Sequence, residues 1–470
     1  MTFNSVLQVV NDAIWNGPLI IGILLTGAIL TWRLKFLQAF QLKKAFSYLL
    51  HNEKEGEGEI SSFAALCTAL SATIGTGNIV GVATAICLGG PGALFWMVFA
   101  AFLGMATKYA EGLLAVKYRK VLPNGKILGG PFYYIETGLK ELYHKNFKWL
   151  AILFAVFGVC AGLFGIGTLT QVNSITTAMN VIIPSKTCFQ LAGSNYSYTT
   201  VISGAIITLL VALVLIGGLR RIAKVATYIV PFMVIGYMTI CLIMLVTNAE
   251  KIIPALCLII ESAFTGGALQ GGALGTLMIA MQKGIARGIF SNEAGLGSAP
   301  IAAAAAKTKE PARQGLVCMT GTFIDTIIVC SMTGLAVITT GAWLEPELEG
   351  AAVTLFAFSK GLPFSNFISE IFLSLSLTVF AFTTILGWNY YSEKCLEYLL
   401  GSKKRTAQLT FRFFYIVAVF AGPYLTVQAV WTIADIFNGL MAFPNLVAII
   451  LLQGIVIKET KQFLSKKKLN

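Results

Sequence analysis

Eleven apolar runs divide this chain, near residues 14–32, 62–86, 92–116, 150–180, 199–218, 226–247, 270–300, 315–340, 367–390, 409–425 and 429–455. A helix needs about 20 mostly apolar residues to cross the hydrocarbon core of a bilayer, and longer runs imply tilt or interruption. A soluble fold of 470 residues cannot hide this many runs, because only 12% of the residues are charged while 56% are hydrophobic. Soluble domains carry about a quarter charged residues. The expected architecture is therefore all-α and polytopic, with eleven transmembrane helices, and soluble enzymes, nucleic-acid binders and disordered scaffolds are disfavoured. Most of the nine cysteines lie inside apolar runs, and Cys188 and Cys257 are expected outside the bilayer, so no disulfide framework is read. Two histidines, His51 and His144, leave little for a His-based metal site. The first run reads as a retained span, because residues 1–13 contain Asp12 and no Lys or Arg, the reverse of a leader peptide.

The formal charge of +13 is explained by topology. Alternate loops (33–58, 117–148, 220–224, 307–313, 394–412 and 458–468) hold 28 of the Lys and Arg residues, whereas the opposite loops hold three, Lys186, Lys251 and Lys360. Cytoplasmic loops are the basic ones, so the N-terminus is expected outside and the C-terminus inside. One missed span would scramble this bias. Residues 33–60 run from a basic amphipathic stretch into the acidic Glu53–Glu59 cluster and read as an interfacial helix and linker, or as solvated loop. Residues 343–366, bearing Pro346 and Pro363, read as a short helical flap or an ordinary loop.

With the first span and linker (1–60) set aside, five runs lie in 61–247 and five in 248–457, followed by a basic tail at 458–470. Halves with an odd number of spans are inverted relative to each other, the arithmetic of many secondary transporters, whose sites form in discontinuous helices. Each half should therefore open with an interrupted helix. The first begins Ser71-Ala72-Thr73-Ile74-Gly75-Thr76-Gly77-Asn78 and the second holds Ser291-Asn292-Glu293-Ala294-Gly295-Leu296-Gly297-Ser298. A glycine costs about 1 kcal/mol against alanine inside a helix, so a Gly-x-Gly pair weakens the ladder locally. Unwound backbone at membrane depth is tolerated where it lines a cavity or is packed in protein. It offers amide N–H groups to an anion and carbonyls to a cation. Close helix packing is the competing explanation for any one glycine pair. Gly89-Gly90-Pro91-Gly92, Gly129-Gly130 and Gly266-Gly267 read as loop punctuation.

Two stretches, Gly89-Gly90-Pro91-Gly92-Ala93-Leu94-Phe95-Trp96-Met97 and Gly104-Met105-Ala106-Thr107-Lys108-Tyr109-Ala110-Glu111, resemble the signature of the alanine or glycine:cation symporter family, the sodium:alanine symporters. Thr73–Asn78, Gly129-Gly130-Pro131 and Gly288–Gly295 resemble it too, so the likeness covers essentially the whole chain. Val98 departs from it, standing where the signature usually has tryptophan. The resemblance implies a LeuT-like fold with 5+5 inverted repeats plus one N-terminal helix. It also implies Na⁺-coupled import of small neutral amino acids, alanine and glycine, by alternating access in the cell membrane. Sodium would be co-transported. The partners expected are the amino acid, Na⁺ and the bilayer, with no nucleic acid and no obligate protein partner.

On that reading a zwitterion with a tiny side chain must be held. Its carboxylate would take the amides around Gly75, Thr76, Gly77 and Asn78, beside Thr73. Its ammonium would take Gln171 and carbonyls near Phe290, Ser291 and Asn292; packing between helices is an equal reading of Gln171. Phe164, Phe290 and Trp388 are candidate walls. Carbonyls of Ala72 and Gly75 with hydroxyls of Thr383 and Thr384 match the sodium site of the LeuT-like fold, unless those hydroxyls bond back to their own helix. Asn292 and Thr76 would serve a second ion.

Ionisable groups inside a bilayer are functional suspects. Arg287 and Glu293 are gating candidates, although Glu293 could equally cap a half-helix; Lys108 and Glu111 are read as snorkelling or pairing near an inner end. A proton-coupled permease is the alternative, but it would be expected to carry a lysine deep in the fifth repeat helix, where Lys224 instead sits at the inner terminus. An intramembrane hydrolase is a poor fit: a His-Glu-x-x-His helix is absent, and Asp325 with Asp435, the only carboxylate pair to consider, lie in no catalytic motif.

Overall fold

The computed structural model describes residues 3–15, 17–51, 56–191, 194–265, 273–401 and 405–466. Gly266-Gly267, the start of the acidic run at Glu53 and the basic end at Lys467 and Lys468 lie outside the described residues. Nearly all of the rest is helix, as bilayer burial requires, since each backbone polar group must be satisfied within its own segment.

Helices α1 (Phe3–Trp15) and α2 (Pro18–Arg33) form the N-terminal span, and the short α3 (Leu42–Leu50) follows in the linker. The first half holds α4 (Ser62–Thr73), a π-wound turn (Gly77–Gly81), α5 (Val82–Gly89), α6 (Gly92–Lys117), α7 (Lys148–Phe164), α8 (Leu169–Ile182), α9 (Tyr198–Leu215) and α10 (Gly218–Thr247). After α11 (Ile252–Thr265), the second half holds α12 (Ala273–Asn292), α13 (Ala299–Ala303), α14 (Pro311–Thr322), a π-wound stretch (Phe323–Cys330), α15 (Ser331–Thr340), α16 (Ala351–Gly361), α17 (Asn366–Leu400), α18 (Arg405–Ala421) and α19 (Val427–Lys466). Ser61 caps α4 by accepting the Ala64 amide, and Ser197 caps α9 by accepting that of Thr200, the side chains such N-termini require.

Among the described residues, eight helices are long and apolar enough to cross a membrane, or nine when the pair bent by 54° between α4 and α5 counts as one span. Eleven was expected. Run 270–300 falls short because α12 carries Lys283 and Arg287 and then breaks, and run 409–425 because α18 is only 17 residues long.

The packing has a two-fold pattern. α6 lies along α14, second helix on second; α7 and α8 lie on α17, third on third. α10 meets α17 as α7 meets α19, so fifth meets third in both senses. The first helices also meet, α4 against α13 and α5 against α12.

The basic loops gather at one end. Arg119 donates to the carbonyls of Glu57 (2.6 Å) and Thr308 (3.0 Å), Lys117 pairs with Glu459 (2.7 Å), and Lys126 and Lys394 pair with Glu397. Loops assigned to one side by their charge therefore do lie together. Two-residue strands β1 (Lys120–Val121) and β2 (Ile127–Leu128) sit at this basic end, and a second hairpin, β3 (Thr187–Leu191) with β4 (Ser194–Ser197), joins α8 to α9. All nine cysteines are unpaired.

Candidate functional site

Both expected interruptions are present, and they face each other. α4 ends at Thr73, Ile74 turns to φ −77°, ψ 99°, and regular winding resumes at Gly77. α12 ends at Asn292, and Glu293 (φ 57°), Gly295 (φ 89°) and Gly297 (φ 81°) follow in the left-handed region before α13. A Cβ on Gly77 would stand 3.1 Å from Cα of Ser291 and 3.3 Å from the Phe290 ring. This approach is what glycine is needed for here, so the packing and site explanations of the glycine pair coincide.

At the first break neutral side chains satisfy the freed backbone. The Gly75 amide donates to Oδ1 of Asn78 (2.9 Å) and the Thr76 amide to Oε1 of Gln171 (3.3 Å). Gln171 Nε2 donates to the Ile166 carbonyl (2.9 Å), which sets the amide's orientation. Its oxygen thus caps a break amide, on the side assigned to a carboxylate, rather than facing an ammonium. Thr76 Oγ1 is buried with no hydrogen-bond partner. Thr384 donates to the Ile74 carbonyl (3.2 Å) and to Phe380 of its own helix (3.1 Å). Thr383 donates to Phe380 (2.9 Å) and lies near Met233 sulfur, so one of the two threonines turns back. The carbonyl brought to Thr384 is that of Ile74, between the expected Ala72 and Gly75. Ala72 packs its backbone on Gly387.

Charged and aromatic groups hold the second break. Trp388 Nε1 donates to Oε1 of Glu293 (2.8 Å), Ser298 donates to its Oε2, and Lys108 Nζ donates to its carbonyl (3.2 Å). Trp388 is fully buried in this role, stacked edge-on with Tyr391. It was expected as a wall of the substrate space and is instead the support of a strained turn, since a non-glycine residue at positive φ persists only when its surroundings over-determine it. The Glu293 carboxylate meets two neutral side-chain donors, neither a helix-end amide nor Arg287, which is paired elsewhere. Lys108 and Glu111 do not snorkel; both are buried beside this break.

Asp325, on the π-wound stretch, ties the two breaks together. Its Oδ1 accepts from Asn78 Nδ2 (2.7 Å), and its Oδ2 accepts from Ser291 (2.8 Å) and Thr326 (2.6 Å). Asn292 Nδ2 donates to Thr326 Oγ1 (3.0 Å) and its Oδ1 accepts the Ala294 amide (2.9 Å). From residue order Asp325, inside the run 315–340, carries no assigned role. The available signal was a carboxylate at membrane depth; the π-winding that often marks functional sites required coordinates.

A layer toward the opposite end closes over the site. Arg287 makes a two-pronged pair with Asp435 (3.0 and 2.6 Å), its guanidinium 4.9 Å from the Trp431 ring centre and 5.5 Å from that of Phe290. Phe290 and Trp431 rings lie 4.9 Å apart. α16 leans on the first break, Thr354 donating to the Ile79 carbonyl (3.1 Å), in accord with a helical flap. Phe164 does not join this assembly; it ends α7 with 46% of its surface exposed. Asp325 and Asp435 are engaged with different partners, so no aspartyl dyad forms. Toward the basic end a narrow cleft of about 20 Å³, partly open to solvent, runs between Thr73 and Asn292, walled by Ala69, Ala299, Ala303 and Lys108. This arrangement gathers a carboxylate, hydroxyls, carbonyls and main-chain amides where the two broken helices meet, with the cleft opening beside them at Thr73 and Asn292. Among the described residues no group of three His, Cys, Asp or Glu offers a transition-metal site.

The sodium:alanine symporter family model matches residues 1–470. The chain is 53% identical over 471 residues to an uncharacterised transporter of Haemophilus influenzae, covering 100% of this chain and 98% of that one. It is 46% identical over 470 residues to the sodium/alanine symporter AgcS of Methanococcus maripaludis, covering 98% of each. Among solved structures, MhsT in complex with L-phenylalanine superposes with a TM-score of 0.56 at 11% identity, over 87% of this chain and 99% of that one, a likeness of fold.

Proposed function

The chain belongs to the sodium:alanine symporter family, and from that premise we propose that it imports small neutral amino acids, alanine and glycine, with Na⁺ by alternating access. It is a multi-pass membrane transporter. The observation that carries the finer reading is the close meeting of two mid-bundle breaks, Gly77 against Ser291, around a buried carboxylate. The substrate carboxylate takes the amides of Thr76 and Gly77 and the unpartnered Thr76 hydroxyl, displacing the oxygen of Gln171 that occupies this place. Its small side chain lies under Phe290, where bulk is limited by the closeness of Gly77. One Na⁺ is held by carbonyls at Ala72–Gly75 and the Thr384 hydroxyl, whose proton can go to Phe380. Asp325, with Asn78, Ser291 and Asn292 around it, supplies the negative charge beside substrate and ion.

Two inverted five-helix halves preceded by one span make eleven crossings, with α12–α13 and α18 among them; the two-fold packing supports this count. The basic end is cytoplasmic, so the N-terminus lies outside. Arg287 with Asp435 and the Phe290–Trp431 rings form the outer gate, and the cleft at Lys108 is the start of the inward path. The test is uptake of labelled alanine into proteoliposomes. Uptake collapses when the Na⁺ gradient is removed; equal uptake with K⁺ in its place overturns the coupling, and acidification on adding alanine without sodium supports the proton-coupled alternative.

A further inference from the structure

Among the described residues five charged side chains are buried: Lys108, Glu111, Glu293 and Asp325 within the bundle, and Glu397, paired to Lys126 and Lys394, at the basic end. Within the bundle one cation thus faces three carboxylates. An ionised carboxylate in a low-dielectric interior costs several kcal/mol unless a charge matches it, and protonation is the alternative.

The three carboxylates are not equally equipped to stay ionised. Glu293 accepts from Trp388 with one oxygen and from Ser298 with the other, and Lys108 is bonded to its own carbonyl. Asp325 receives three donors from Asn78, Ser291 and Thr326. Glu111 lies one turn beyond Lys108 on α6, and its Oε1 accepts from Asn445 (2.7 Å) and from the Gly295 amide (3.2 Å). The Gly297 amide also approaches this carboxyl, but Oε2 is enclosed and accepts no well-formed hydrogen bond. The other titratable groups facing Glu111, Cys318 on α14, Tyr134 in the π-wound turn Tyr134–Gly138 and Tyr391 on α17, are of types neutral near pH 7 and cannot offset a second negative charge. Lys108 can match Glu293 or Glu111, and the orphaned oxygen marks Glu111 as the one left over.

We propose that Glu111 is a proton-binding site: Oε2 carries a proton in the closed transporter and gives it to water when the bundle opens at the basic end. The bond formed and broken is Oε2–H, with a water-borne proton as the ligand. Oε1 remains an acceptor for Asn445 and Gly295 in either state. The route follows from position, since Lys108 already lines the cleft on that side and Glu111 lies one turn further toward the basic end. The counter-charge for Asp325 rests on the cation proposed above; the count at Glu111 does not, because Lys108 can serve only one of two acids whether or not Na⁺ binds.

The direct test is infrared spectroscopy of the full-length transporter in lipid. The carbonyl stretch of a buried carboxylic acid should be present near neutral pH, absent in Glu111→Gln and shifted in Glu111→Asp. A spectrum unchanged by Glu111→Gln would overturn the assignment. In proteoliposomes at fixed Na⁺ gradient, wild-type alanine uptake should fall by about tenfold between about pH 5 and about pH 9, while Glu111→Gln, isosteric with the protonated acid, loses this dependence. A pH profile identical in both also overturns it. Should the chain take up no alanine, the transport reading fails while the infrared band still decides this one.

Discussion

The two breaks lie against each other in the middle of the bundle yet are built on opposite principles. At the first, none of residues 74–78 takes a positive φ, and the freed groups are met by neutral side chains, Asn78, Gln171 and Thr384. At the second, three residues take positive φ and are pinned by Lys108, Trp388, Glu111 and Asn445 from three other helices. Neutral hydrogen bonds are worth about 1 kcal/mol net, whereas bonds to buried charges cost about 1.5–3 kcal/mol or more to lose. The first break can exchange its partners for a ligand at little cost; the second is a fixed support against which the exchange occurs.

The sharpest way to break this contrast is Gly297→Ala. Its φ of 81° disfavours any side chain, and the added Cβ would stand 2.7 Å from the Phe154 ring and 2.8 Å from the Asn445 amide carbon. A loss of about 3 kcal/mol or more is expected, read as failure to purify folded protein or a large drop in melting temperature. Gly77→Leu, at the yielding break, is expected to leave a purifiable protein whose alanine affinity falls by about 100-fold, close to 3 kcal/mol, in equilibrium binding. Wild-type-like affinity there would remove the first break from the site. Trp388→Phe strips the donor from Glu293 and should lower stability by about 2 kcal/mol in thermal melts, with a smaller effect on alanine affinity measured at saturating Na⁺.

Thr384→Val should raise the Na⁺ concentration for half-maximal uptake by about tenfold, about 1.4 kcal/mol, because it removes one oxygen from the cation while keeping the shape. Thr383→Val, whose hydroxyl turns to its own helix, should leave that concentration within about twofold. A smaller effect than at Thr384 is expected for Arg287→Lys. The charge is kept and the fork to Asp435 is lost, costing about 1 kcal/mol and read as faster alanine leak from loaded vesicles without sodium.

Much of the frame was legible from residue order. Apolar run length, the 28:3 bias of Lys and Arg, and paired Gly-x-Gly segments indicate helices, a common basic end and two interruptions without any coordinates. The partners at the site were less legible, because they depend on where a side chain points. Trp388 reads as a pocket wall by type, but its indole N–H meets Glu293, 95 positions away in the chain. Arg287 and Glu293 share one segment and were paired as gate candidates, yet Arg287 reaches Asp435 on α19 while Glu293 turns inward. Phe164 fails for the same reason, facing out of its helix end.

Residue order alone therefore determined that this chain crosses a membrane repeatedly and comes unwound twice, because bilayer burial and glycine's weak helix preference are local properties. Tertiary structure decided which carbonyls meet Thr384 and Lys108, and that Asp325 joins both breaks. Those outcomes depend on helices brought together from distant parts of the chain, and the cost of a buried charge is set by neighbours that no local pattern contains.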